Sequence, residues 1–76
     1  MTNTILPYYS EDQIVEMIAH VIGQTYTPEI LEEVKRITLR DTRPYGPGHF
    51  GSRDYVPGRI NLAVDRQQVI EAIQFG

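Results

Sequence analysis

The chain is predicted to fold as a small α+β domain in which two N-terminal helices precede a small mixed sheet, the second helix packs on that sheet, and a long loop stays exposed. Three observations lead there. The first half holds two capped stretches with apolar residues at helical spacing. The middle is broken by prolines and glycines, and the last third alternates apolar and polar residues as a strand does.

Each element has its own signal. Ser10-Glu11-Asp12-Gln13 is a capping box, with a hydroxyl to accept the amide three residues on and a glutamine to reach back. Ile14, Met17, Ile18, Val21 and Ile22 follow on one face, and Gly23 is suited to end the helix left-handed, giving a helix over residues 10–22. Residues 1–9 are expected to be a flexible tail. Thr27-Pro28-Glu29 supplies a second cap, a proline in the first turn and an acidic residue for the helix dipole. Ile30, Leu31, Val34 and Ile37 or Thr38 form its apolar face, and the helix should span 27–39, with Lys35 and Arg36 near its end.

Between Asp41 and Gly58, Pro44, Pro47 and Pro57 stand among four glycines, which excludes a long helix and leaves at most a short extended piece at Thr42 to Tyr45. Residues 46–58 are therefore the candidate functional loop. Residues 59–65 alternate, with Ile60, Leu62 and Val64 on one face and Asn61 and Ala63 on the other, as a half-buried strand. A further strand is expected over 69–75. There is no internal repeat and no low-complexity segment.

The 76 residues allow one domain with a modest core, and the absence of cysteine removes disulfides, thiolate nucleophiles and cysteine-rich zinc sites. No apolar run approaches the roughly 20 residues a spanning helix needs, and Met1-Thr2-Asn3-Thr4 does not begin a secretory signal. The expectation is a cytoplasmic product with no membrane partner, or a secreted or periplasmic one if the sequence is a trimmed mature form. A net charge of -3 argues against nucleic acid as a partner. Six acidic and two basic residues lie before Arg40, and the later excess of one positive charge is too small for a phosphate-binding groove.

Residues able to carry chemistry are few. His20 sits in an amphipathic helix and His49 in the loop, with no ligand-like spacing around either, so no metal or other cofactor is expected. Ser52 beside Arg53 and Asp54 lacks a histidine partner and a nucleophile elbow, so the chain is not expected to be an enzyme. Gly46, Gly48 and Gly51 do not have phosphate-loop spacing. Tyr8, Tyr9, Tyr26, Tyr45 and Tyr55 are too scattered for a base-stacking platform and are expected mostly to pack.

The stretch Pro47 to Asp65 resembles the potato inhibitor I family of serine-protease inhibitors, most closely its small bacterial and fungal branch. Gly48, Asp54, Tyr55, Arg59, Ile60, Asn61, Leu62, Val64 and Asp65 fall on the family's pattern without a gap, and Ile22-Gly23-Gln24-Thr25-Tyr26-Thr27 is similar to the segment leading into that branch's main helix. The resemblance implies a helix packed on a small sheet and an exposed loop that binds a protease as a substrate would. It implies Phe50, Gly51, Ser52, Arg53, Asp54 and Tyr55 as the protease-binding loop, with Arg53 entering the primary specificity pocket and Asp54 just beyond the scissile bond.

Arg59 matches a residue that braces the loop, and Asn61 stands where plant members often carry a second bracing arginine. A long cation at Arg53 implies trypsin-like targets. The chain departs from the family at Gly51, which implies added backbone freedom, and at Thr42-Arg43-Pro44-Tyr45, a poorer strand than the family's apolar one. The alternative is a non-inhibitory protein-interaction module on the same fold.

Overall fold

A computed structural model describes residues 9–49, 51 and 54–76. The expected tail, apart from Tyr9, lies outside the described residues, as do Phe50, Ser52 and Arg53.

The first helix, α1, spans Glu11–Ile18. Its capping box forms as read from the sequence, with the Gln13 amide donating to Ser10 Oγ at 3.2 Å and the Ser10 amide donating to Gln13 Oε1 at 2.9 Å. The α-helix is shorter than the expected 10–22, because Ala19–Val21 tightens into a 3-10 turn. Residues three apart eclipse one another in that geometry, so Val21 stays in line with Ile18 and enters the core, while Ile22 leaves the apolar face and is 44% exposed. Gly23 has φ +92, the left-handed ending expected of it. The chain then docks on the sheet: the Gly23 amide donates to Ile70 O at 2.7 Å and the Ile70 amide to Gln24 O at 2.9 Å.

Helix α2 covers Pro28–Thr38, capped by Thr27 Oγ1, which accepts the Ile30 amide at 3.2 Å. It ends in Leu39 at φ 58, whose amide donates to Lys35 O at 2.8 Å. Ile30 and Val34 are buried, with Ile37 partly buried beside them.

Three strands follow: β1 (Thr42–Tyr45), β2 (Ile60–Val64) and β3 (Ile70–Phe75), in the spatial order β1-β2-β3. The sheet is mixed. β1 runs parallel to β2, pairing Thr42 with Ile60 and Arg43 with Asn61, while β3 is antiparallel to β2, pairing Leu62 with Ile73 and Asn61 with Gln74. Two parallel neighbours need a crossover of about a dozen residues or more, usually a helix. Here residues 46–59 make that crossing with proline- and glycine-rich chain, so the long loop is a requirement of the topology.

Ile60, Leu62, Val64 and Ile70 face the helices and join Ile14, Ile18, Val21, Ile30 and Val34 in one buried cluster. Burying each such side chain contributes about 1.5 to 3 kcal/mol before entropy. β2 is more deeply buried than its alternation predicts: all five of its residues are buried, Asn61 and Ala63 included. It is the central strand, flanked on both edges, and on its second face Asn61 is bonded to Arg43 of β1 and to Gly76 beyond β3. Among the described residues, no helix is long and apolar enough to cross a membrane.

Candidate functional site

The second face of the sheet carries a set of polar side chains beneath the crossover loop. Arg59, Asn61 and Ala63 are two apart along extended chain and so share that face. Arg43 joins them because the parallel register sets it opposite Asn61. The arrangement follows from strand period and register alone.

Arg59 is buried, at 7% exposure, and its guanidinium is spent on main-chain oxygens: Nη2 donates to Asp54 O at 2.7 Å and Nε donates to Gly76 O at 3.1 Å. The Asp54 carboxylate is 3.9 Å from Nη1 and stays exposed. Arg59 thus reaches the loop through its backbone, with a looser ion pair alongside. A cation held this deeply needs its donors satisfied, and hydrogen bonds from a charged group are worth about 1.5 to 3 kcal/mol each. The Gly76 amide returns a bond to Arg59 O at 2.9 Å, one residue beyond the Ile60–Phe75 pair of β2 and β3.

Asn61 does not contact the described loop residues. Its Nδ2 donates to Gly76 O at 2.9 Å and its Oδ1 accepts from Arg43 Nε at 2.8 Å. Its link to the loop runs through Arg43, whose guanidinium lies against Gly51: a Cβ there would stand 2.7 Å from Arg43 Nη1. A side chain at Gly51 would require that guanidinium to move, a shift opposed by its bond to Asn61. Arg43 also lies over the Tyr45 ring, 5.5 Å from its centroid.

Further along the loop, Arg40 Nη1 donates to Gly58 O at 2.9 Å and Nη2 to Tyr9 O at 2.8 Å, tying the end of the crossover to the chain ahead of α1. Tyr55 and Tyr45 are exposed, at 74% and 48%, unlike the packing tyrosines expected. They border an open groove with Arg43, Asp54, Asn61 and Gly76. His20 Nε2 meets Glu33 Oε2 at 2.9 Å on the surface, joining the 3-10 turn to α2. Among the described residues, no group of three or more histidine, cysteine, aspartate or glutamate side chains is arranged to hold a metal ion.

Of the residues proposed from sequence, Asp54, Arg59 and Asn61 come together through Gly76 and the strands, and Gly51 joins them through Arg43. Phe50, Ser52 and Arg53 lie outside the described residues. Arg40, Arg43 and Gly76 escaped sequence reasoning. The one signal that pointed to them is Asn61, a polar residue in the middle of an apolar strand, which requires partners of some kind. No family model, curated protein or solved structure matches the chain.

Proposed function

We propose that the chain is a serine-protease inhibitor of the potato inhibitor I type, presenting residues 46–58 as a substrate would, with Arg53 in the specificity pocket of a trypsin-like enzyme. The observation that carries the reading is the buried Arg59 guanidinium holding the main-chain carbonyl of Asp54. Arg53 takes its role from the sequence resemblance.

The chemistry needs that carbonyl held. Attack on the Arg53 carbonyl breaks the bond to the Asp54 nitrogen, and a substrate then loses its leaving segment. With Asp54 tied through Arg59 to β2 and Gly76, the freed amine stays over the acyl-enzyme and re-forms the bond. The more of the loop these bonds fix before binding, the less entropy is left to lose, which converts contact into affinity. The exposed Asp54 and Tyr55 side chains leave that stretch open to a cleft.

The test is a panel of serine proteases. Trypsin-like members are expected to be inhibited, and Arg53→Ala should abolish inhibition while the circular-dichroism spectrum stays unchanged. A folded chain that inhibits no member of the panel sinks the reading.

A further inference from the structure

The crossover is held at its far end by Arg59 and Arg40. Its near end has a different fastening. The turn Asp65 to Val69 is fixed by the Asp65 carboxylate, whose Oδ1 accepts the amides of Gln67 at 2.8 Å and Val69 at 2.9 Å. Within it Gln68 has φ 66, a left-handed conformation that glycine or asparagine adopts more readily. A residue kept in an unfavourable conformation points to work done by its side chain.

That side chain bridges to the start of the loop. Gln68 Nε2 donates to Pro47 O at 2.8 Å, and Gln68 Oε1 meets His49 Nε2 at 2.6 Å. The Pro47 carbonyl accepts only, so it fixes which end of the amide is nitrogen, and the amide oxygen left facing His49 requires the proton to be on Nε2. The His49 ring stands edge-on to Tyr26, with centroids 5.4 Å apart and planes at 78°. The Tyr26 amide donates back to Gln68 O at 2.7 Å, and the His49 amide closes the loop's first turn on Gly46 O at 3.0 Å. One residue thereby joins the link between the helices, the β2–β3 turn and the start of the crossover. Gly46 sets that start hard against the sheet, where a Cβ would fall 2.6 Å from Val64 O.

We propose that Gln68, acting through Pro47 and His49, is a positioning residue that clamps the leading end of the protease-binding loop, the counterpart of Arg59 at the trailing end. The proposal rests on the inhibitor reading for its purpose and on this bonding for its mechanism. Two anchored ends restrict a loop far more than one, since the free end of a singly held segment keeps most of its conformations.

The test is Gln68→Gly, which deletes the amide while supplying a residue at ease at φ 66, so the fold is kept. Native-state hydrogen exchange should show the His49 amide, bonded to Gly46 O, exchanging about fivefold to tenfold faster, the loss expected for a hydrogen bond, with the amides of Val34 and Leu62 unchanged or slower. Inhibition of trypsin should weaken by a similar factor. Gln68→Glu, which turns an oxygen toward the Pro47 carbonyl, should loosen the same amide. Unchanged loop exchange in both variants, or loop and core accelerating together, overturns the clamp. A looser loop with undiminished inhibition overturns the positioning role. Failure of the unaltered chain to inhibit any protease counts against the inhibitor reading alone, because exchange measures the clamp without a protease.

Discussion

On the helix side of β2, Ile60, Leu62 and Val64 meet apolar side chains from both helices; on the other side Arg59 and Asn61 are almost as deeply buried, yet their contacts are hydrogen bonds. The two faces are held by forces of different kinds. Apolar burial is non-directional and scales with the area removed from water, so it favours compactness more than any one placement of a loop. The Arg59, Asn61 and Arg43 bonds act over fixed distances and angles, and they specify where particular carbonyls sit. The helix face therefore decides whether the domain folds, and the loop face decides where the crossover lies.

Three substitutions can break that division. The largest effect is expected from Leu62→Ala, which opens a cavity at a fully buried site and should cost about 2 to 5 kcal/mol in urea denaturation. Next comes Arg59→Ala, which removes two charge-assisted hydrogen bonds whose carbonyl acceptors can turn to water, so that it costs less than Leu62→Ala and is read most clearly as cleavage within the loop during long incubation with trypsin. An Arg59→Ala loop as resistant as the original would show that the two faces do not divide the labour.

The smallest effect is at Tyr26, which borders both the apolar core and the start of the loop. Burial, and then the neighbouring Glu32 carboxylate, raise its pKa above the ordinary 10.0. A raised folded-state value means the fold favours the neutral phenol. That stabilisation is fully present below pH 10 and is lost as the pH climbs through the higher folded value. Tyr26→Phe should keep the ring contact with His49 and flatten the loss of stability above pH 10. An alkaline melting profile identical to that of the original chain would remove Tyr26 from the account.

Much of the fold is legible locally. Ser10 with Gln13 and Thr27 with Pro28 start their helices where read, and Gly23 turns left-handed as expected. The two misreadings have different causes. A count of 3.6 residues per turn puts Ile22 on the apolar face, and the chain tightens to three where it swings toward Ile70. Asn61 and Ala63 read as an outward face because alternation reports two faces without saying what covers the second.

By itself the sequence determined the two helices, the strands and the position of the long loop, because caps, periodicity and backbone-restricting residues act over a few neighbouring positions. Only the tertiary structure decided that β1 lies parallel to β2, and from that one choice much else follows. The parallel pairing makes the loop a crossover and sets Arg43 opposite Asn61. The antiparallel pairing of β3 then brings Gly76 to Arg59, and the turn between β2 and β3 brings Gln68 to Pro47 and His49. These contacts join residues far apart in the chain, and their geometry is fixed by strand register, which no local run of residues encodes.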